Sequence, residues 1–301
     1  MADNPEIKRQ LKLKSTPFPC GQCLPCRINR RRIWTHRLIL ERLCHPFASF
    51  VTLTYDDAHL PPGGQLCKKD AQLFLKRLRY YLAPRKIRYY LCGEYGERFG
   101  RPHYHAILFN VHPELDAQAV CRAWSGYVRN EVGLLEIMDI AEKKKKQIGN
   151  VVLGFDCSDD AIQYVAGYVT KKITKKNDGQ VPEFSLMSKC PAIGVPFLDN
   201  VKRMLELPRY AKVFDATGGD VPLSLRHGSR CYPLGRTLRN RLRVLLDKES
   251  NCDRWLDSHG TEVLEALRAG ERIDEHFSRI DEGRYRRIKA RYKIYSNRTI
   301  E

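Results

Sequence analysis

The stretch GRPHYHAILF, residues 100–109, decides the fold of this chain and also locates its chemistry. It places His103 and His105 one residue apart, directly before the apolar run of residues 106–109. Such a run predicts a buried β-strand, and side chains on a strand alternate between its two faces. Both imidazoles therefore leave the same face of the strand. Two nitrogen ligands at this spacing favour a divalent cation with positions left open for a phosphate group and water.

A carboxylate on the preceding strand completes the predicted metal site. Residues 88–95 predict a second strand, and the turn GERFGR at 96–101 predicts that the two strands form an antiparallel hairpin. Glu94 lies across this hairpin and is the expected oxygen ligand, while Glu97 in the turn is the alternative. A set of histidine and carboxylate ligands suits Mg²⁺ or Mn²⁺. The competing interpretation is a pair of structural histidines held by ordinary hydrogen bonds.

The sequence on either side predicts an α+β fold, a mostly antiparallel sheet with packed helices. Apolar spacing and turn residues indicate further strands over 50–55, 132–140 and 150–155, and helices over 27–43, 114–126 and 159–176, with one more helix capped by Asp70. We expect three regions: a basic arm with a Cys-rich turn and a helix over 1–44, the sheet domain over 45–176, and a basic accessory region over 177–301 that is helical toward its C-terminus.

The predicted helix of residues 159–176, DDAIQYVAGYVTKKITKK, carries two tyrosines on one face, and we call it the tyrosine helix. Its apolar residues share one narrow stripe, which consists of Ile162, Val165, Ala166, Val169 and Ile173. Tyr164 and Tyr168 are four residues apart and lie nearly opposite this stripe, beside several lysines. A nucleophilic phenol, with its ordinary pKa of about 10, requires a nearby cation, which those lysines can supply. The alternative is that both tyrosines are core or rim aromatics.

The charge of the chain predicts a polyanionic partner. Its 301 residues include 53 Lys and Arg against 35 Asp and Glu, a formal net charge of +18. Nucleic acid is favoured over an anionic membrane because cations are interleaved with aromatics, as in RYRRIKARYKIY at 284–295. The predicted DNA contacts are Arg30, Arg31, Arg32, Lys175 and Lys176. No apolar run approaches the roughly 18 residues of a spanning helix and no signal peptide is evident, so a cytoplasmic protein without a membrane partner is expected.

A short cysteine cluster, Cys20-x-x-Cys23-x-x-Cys26, predicts a structural Zn²⁺ site. Such a site requires four ligands, so His36, Cys44 or His45 would have to complete it. An iron–sulfur cluster is less well supported because the nearby fourth cysteine is missing. The alternative is a proline-flanked turn that holds reduced thiols.

Four motifs in order resemble one known family over roughly residues 20–200. These are CGQCLPCRINRRRIW, FVTLTYDD, LCGEYGERFGRPHYHAILF and QYVAGYVTKK. Together they resemble the HUH-type rolling-circle replication initiators of microviruses, the small single-stranded DNA phages, and especially their gokushovirus branch. The resemblance implies an HUH endonuclease domain with an RRM or ferredoxin-like arrangement of the sheet.

The resemblance also implies a role for each part of the site. His103 and His105 would be the paired metal ligands, Tyr164 and Tyr168 the two nucleophiles, and Lys171 or Lys172 the cation that positions the phosphate or phenolate. The implied activity is site-specific cutting and joining of single-stranded origin DNA through a 5′-phosphotyrosine, in the bacterial cytoplasm. Host polymerase and helicase would be further partners.

Other function classes stay open at the level of the sequence. One is a non-catalytic, zinc-containing nucleic-acid-binding protein in which the histidines are structural. Another is a related plasmid relaxase or transposase, although the two-tyrosine pattern argues against single-tyrosine transposases.

Overall fold

A computed structural model describes most of the chain between residues 23 and 290. The described residues are 23–96, 99–126, 146–154, 162–163, 165–167, 179–248, 268–270, 272, 275, 279, 282–283 and 285–290. They divide by their internal contacts into two units, one of residues 31–201 with 224–241, and the other of the remaining segments.

The first unit is built on a five-stranded sheet in which every pairing is antiparallel. Its strands in chain order are β1 (Ala48–Thr54), β2 (Arg88–Tyr95), β3 (Pro102–Phe109), β6 (Val151–Gly154) and β7 (Phe184–Met187). The spatial order is β6-β1-β3-β2-β7, so the histidine strand is the central one. A minor pair, β4 (Ser125–Gly126) and β5 (Lys146–Gln147), stands apart. The prediction of an α+β fold on a mostly antiparallel sheet is confirmed.

One face of the sheet packs against two helices. They are α2 (Lys68–Tyr81) and α3 (Ala117–Ala123). We call this face the α2 face, because Tyr104, Ala106 and Leu108 of β3 pack there with Phe74 and Leu78 of α2. Burial of these apolar side chains on both elements stabilises the layer.

The opposite face carries His103, His105, Ile107 and Phe109, and we call it the histidine face. Helix α1 (Leu24–Arg42) covers part of it through Leu38 and Ile39. The described helical residues of the tyrosine helix cover it through Ile162, Val165 and Ala166, which are fully buried. Sheet and helices thus enclose a second apolar core on the histidine side.

A buried carboxylate fixes α1 to the rest of its unit. Glu41 is fully buried, and it accepts hydrogen bonds from Arg88 and from the backbone N–H of Gly194, at 2.7 Å for the latter. Although burial alone would raise the pKa of Glu41, the hydrogen bonds from His45, Arg88 and Gly194 and the Arg88 charge lower it. Gly194 is required at this close approach, because its φ is +82° and a Cβ there would lie 2.9 Å from the Arg37 carbonyl oxygen.

The remaining elements follow β7 in the chain. They are α4 (Leu198–Leu205), α5 (Ala211–Asp215), β8 (Ser224–His227), β9 (Arg230–Pro233) and α6 (Gly235–Leu246). In the second unit, Arg243 donates two hydrogen bonds of 2.8 Å to the buried carboxylate of Asp220. Residues 285–290 are helical, as predicted for the C-terminal region. Across the described ranges, no helix combines the length and apolar character that crossing a bilayer requires.

Individual element bounds differ from the predictions in places. Helix α1 begins three residues before the predicted start at residue 27, and α3 is shorter than the predicted 114–126 because residues 113–116 form turns. The predicted strand over 132–140 lies outside the described residues. The sheet takes its edge strand β7 from a segment rich in glycine and proline for which no strand was predicted.

Candidate metal centre

The register of β2 and β3 brings the three predicted ligands together. Glu94 is paired directly with His103, and residues paired directly share a face of the sheet. Glu94 Oε1 lies 2.7 Å from His103 Nε2 and 3.2 Å from His105 Nε2. The three ligand atoms all lie within 4.8 Å of one another. Among the residues that the structure describes, no other group of three such side chains is this close.

Hydrogen bonds at the far side of each ring orient the imidazoles. His103 Nδ1 is 3.1 Å from the Arg101 carbonyl oxygen, which can only accept, so Nδ1 carries a proton and Nε2 is directed at the site. Thr52 Oγ1 is 3.0 Å from His105 Nδ1 and can hold that ring in the same tautomer. Phe50 stacks on His105 with a centroid distance of 5.7 Å.

Thr52 and Phe50 are functional residues that sequence reasoning missed. Both belong to FVTLTYDD, and β1 pairs with β3 so that Thr52 lies opposite His105. The available signal was the two-residue period of that strand, which places Phe50, Thr52 and Thr54 on one face.

The electrostatics of the site favour an ionised carboxylate. Burial alone would raise the pKa of Glu94, but hydrogen bonds from His103 and His105 and their positive charges lower it to about 2. For His103, burial alone would lower the pKa, but the hydrogen bonds to Glu94 and to the Arg101 carbonyl, with the charges of Glu94 and Glu183, raise it. A charged carboxylate facing two imidazole nitrogens has the excess of electron density that a cation neutralises.

The donor set fits a divalent cation. Two imidazole nitrogens and one carboxylate oxygen, all from rigid strands, occupy one side of a coordination sphere and leave the other side for phosphate oxygens and water. Glu94 and His105 are buried, with exposed fractions of 7% and 6%, whereas His103 is partly exposed, so the site opens on the His103 side. The alternative ligand Glu97 lies outside the described residues.

The described part of the tyrosine helix packs on the same face as the triad. Ile162, Val165 and Ala166 of its predicted apolar stripe are buried against Cys92 and Ile107, which lie on the histidine face. The remaining predicted site residues of this helix lie outside the described residues: Tyr164, Tyr168, Lys171, Lys172, Lys175 and Lys176.

Of the arginines predicted to contact DNA, Arg31 and Arg32 are held in place by backbone carbonyls. Arg31 is exposed and donates to the Gln163 carbonyl oxygen at 3.2 Å, next to Gly167. Arg32 donates to the Cys231 carbonyl oxygen at 2.8 Å. Arg30 is exposed. Arg31 therefore places a positive charge directly beside the tyrosine helix.

The cysteine cluster is only partly described. Cys20 lies outside the described residues, while Cys23 immediately precedes α1 and Cys26 is in its first turn. Zinc binding by Cys20, Cys23 and Cys26 stays a prediction.

The three side chains suggested as a fourth zinc ligand are engaged elsewhere. His36 is ten residues beyond Cys26 on the same helix, or about 15 Å along its axis. It is buried and lies 3.0 Å from the Pro233 carbonyl oxygen and 2.9 Å from His227 Nε2. Cys44 and His45 follow the end of α1, where Cys44 donates to Leu40 and His45 contacts Glu41. The suggestion that one of them completes the site is not supported by this geometry.

Comparison with known proteins gives consistent matches. The family model of the ORF2 class of replication-associated proteins matches residues 48–177, from β1 to just beyond the tyrosine helix. The replication-associated protein VP4 of Bdellovibrio phage phiMH2K is 31% identical over 221 residues, which are 70% of this chain and 67% of that protein.

Two further relatives cover less of their own length. The replication-associated protein ORF4 of Chlamydia phage 1 is 31% identical over 171 residues, 54% of this chain and 40% of that protein. The replication-associated protein ORF2 of Spiroplasma virus 4 is 33% identical over 198 residues, 62% of this chain and 58% of that protein. No solved structure matches the chain.

Proposed function

This chain belongs to the microvirus-type phage replication-associated proteins, initiators of rolling-circle replication, and we propose that it acts by cutting and rejoining one DNA strand. The substrate in this proposal is single-stranded origin DNA. Cutting leaves a 3′-hydroxyl from which the host polymerase extends, and a host helicase is a further proposed partner.

One observation carries the proposal. The triad of Glu94, His103 and His105 and the buried stripe of the tyrosine helix belong to the same sheet face. Because Tyr164 and Tyr168 are predicted nearly opposite that stripe, the helix would hold them on its outer side, where a DNA strand can approach. Arg31, beside Gly167 on the same helix, adds a positive charge for the phosphate backbone.

In the proposed reaction a tyrosine of this helix is the nucleophile. The phenolic oxygen of Tyr164 or Tyr168 bonds to the scissile phosphorus while the bond from phosphorus to the 3′-oxygen breaks. The phenolic proton is lost and the leaving oxygen gains one, so the products are a 5′-phosphotyrosine and a free 3′-hydroxyl. Lys171 and Lys172 would favour the phenolate. A divalent cation held by the triad would polarise the phosphate.

Rejoining reverses the same chemistry. The second tyrosine cuts the regenerated origin, and the 3′-hydroxyl released in that step attacks the first phosphotyrosine and closes a circle. The phosphodiester energy is kept in the covalent link, so neither cutting nor joining requires ATP.

The test is covalent capture of labelled single-stranded origin DNA, with and without Mn²⁺, followed by denaturing electrophoresis. We expect an adduct with the unaltered protein, a reduced yield with Tyr164→Phe or Tyr168→Phe, and none with both substitutions. Tyr80→Phe is the matched control, because Tyr80 is a tyrosine of α2 that is 79% exposed and remote from the triad face. An adduct that persists in the double variant would overturn the tyrosine mechanism.

The same assay separates the rival functions. DNA binding without any adduct, in the unaltered protein with Mn²⁺ present, would favour the non-catalytic nucleic-acid-binding protein. Full activity in one single variant and none in the other would favour a one-tyrosine mechanism of the relaxase or transposase kind.

A further inference from the structure

We propose that a basic groove on the side of the sheet away from the triad binds the phosphate backbone of single-stranded DNA, as a second contact for the strand on which the proposed function rests. The groove lies along the β7 edge, between α2 and the loop that leads into β2, and has a volume of about 1010 Å³. Residues 185–191 form its other wall.

Positive charge dominates the lining of the groove. Six cations and no carboxylate contribute to it: Lys68, Arg79, Arg85, Lys86, Arg88 and Lys189. Over residues 68–89 the chain has eight Lys and Arg but one acid, Asp70, and that side chain is buried and accepts a hydrogen bond from Tyr55. Such a field attracts a polyanion and cannot be neutralised by the local sequence.

Most of these charges are available for a ligand. Arg85 is paired with Asp116, and Arg88 is paired with Glu41. The other four cations are exposed, and within the described part of the chain none of them has an ion pair: Lys68, Arg79, Lys86 and Lys189. Four unneutralised cations along one groove suit a chain of phosphates better than a single anion.

The groove also offers surfaces that suit unpaired bases and sugars. The Arg79 guanidinium lies 5.2 Å above the ring of Tyr89, and Ile87, Leu186 and Met187 supply apolar lining. Proteins that bind single strands combine a basic groove with flat aromatic or guanidinium surfaces on which bases stack. These features favour a single strand over a duplex, whose bases are already stacked.

The position of the groove separates it from the site of cutting. Tyr89 alternates with Tyr90 on β2 and lies on the α2 face, whereas Glu94 lies on the histidine face. The two residues are also five positions apart, which is about 17 Å along the strand. DNA in the groove is therefore a different segment from the one at the triad.

The test measures binding of the full chain to labelled oligothymidylate of about 40 nucleotides, which is long enough to span several contacts. We expect Lys86→Glu with Lys189→Glu to weaken binding at least about tenfold, and to reduce the slope of log K against log salt by about 1.4, since each phosphate contact on a single strand contributes about 0.7. Arg122→Glu with Arg226→Glu is the matched control: both arginines are exposed and outside the groove, and the charge change is the same.

Ultraviolet crosslinking of the unaltered protein to the same oligonucleotide gives a second measurement that needs no variant to fold. We expect crosslinked peptides from residues 79–89. Equal affinity of groove and control variants, or crosslinks confined to other peptides, would overturn the proposal and favour an acidic protein as occupant. Because oligothymidylate contains no origin, this result is independent of whether the tyrosine variants lose their covalent adduct.

Discussion

The hydroxyl of Thr52 determines which nitrogen of His105 faces the candidate metal position. It is 3.0 Å from His105 Nδ1, and groups that orient a ligand ring in this way affect metal affinity strongly. We expect Thr52→Val to weaken Mn²⁺ binding by roughly 10- to 100-fold, measured by calorimetric titration. Thr52→Ser keeps a hydroxyl and should bind Mn²⁺ nearly as the unaltered protein does. Equal affinities for the valine and serine variants would contradict the orienting role.

The pair of Glu94 and His103 makes the stability of the metal-free protein depend on pH. Hydrogen bonding and charge, acting against burial, lower the pKa of Glu94 from 4.5 to about 2 and raise that of His103 above 6.5. The Glu94 contribution is complete above pH 4.5 and is lost as pH falls toward 2. The His103 contribution is complete below pH 6.5 and is lost as pH rises through the folded-state pKa.

We therefore expect this pair to contribute most between pH 4.5 and 6.5, by about 2 kcal/mol of unfolding free energy. Urea unfolding in the presence of a chelator, repeated across the pH range, measures the effect. Glu94→Gln should flatten the profile, because an amide does not titrate. A profile for Glu94→Gln that parallels the unaltered protein would show that other groups dominate.

At the residue scale, the sequence predicts the ligands but not the groups that orient them. The spacing of His103 and His105 and the hairpin that carries Glu94 are local patterns, so three side chains could be placed from the sequence. The partner of His105 comes from a strand more than fifty residues earlier, and that pairing depends on the strand order, which no local pattern specifies.

The tyrosine helix contains a glycine that its surroundings do not require. A Cβ on Gly167 would meet only the Arg31 side chain, at 3.6 Å, which is an ordinary contact. Because alanine favours a helix over glycine, we expect Gly167→Ala to raise the unfolding free energy by about 1 kcal/mol. Thermal unfolding measures this, and a clear loss of stability would contradict the described packing.

Gly149, just before β6, gives the opposite expectation for the same substitution. A Cβ there would lie 1.9 Å from the Thr54 carbonyl oxygen, so the backbone of β1 or β6 must move. We expect Gly149→Ala to destabilise the protein by about 4 kcal/mol. The measurement is the same thermal or urea unfolding used for Gly167→Ala. A change within about 0.5 kcal/mol, typical of an exposed site, would be inconsistent with this close approach.

At the element scale, elements with their own patterns were predictable and those defined by a neighbour were not. Strands β1, β2 and β3 are rich in β-branched and aromatic residues, and they form within two residues of the predicted bounds. Strand β7 has four residues in a segment of glycine and proline, and its pairing with β2 makes it a strand. Such a short edge element follows from the sheet that it joins and carries little signal of its own.

At the scale of the whole molecule, the chain contains two units, and all three metal ligands belong to the one with the sheet. In the other unit, the buried Asp220 accepts two hydrogen bonds from Arg243. We expect Asp220→Ala to destabilise that unit by roughly 3 kcal/mol, since it leaves Arg243 without its buried partner. Limited proteolysis should cut within 202–223 or after 242, while Mn²⁺ affinity stays unchanged. A parallel loss of Mn²⁺ binding would show that the two units do not unfold independently.

The central place of β3 in the sheet has a consequence for the order in which the molecule opens. Strands β6 and β7 each have one neighbour, whereas β3 is hydrogen-bonded along its whole length to β1 and β2. In native-state hydrogen exchange, fluctuations that release an edge strand would leave the amides of His103 and His105 protected. These two amides should therefore exchange only through global unfolding, and the ligand geometry should outlast the fraying of the sheet around it.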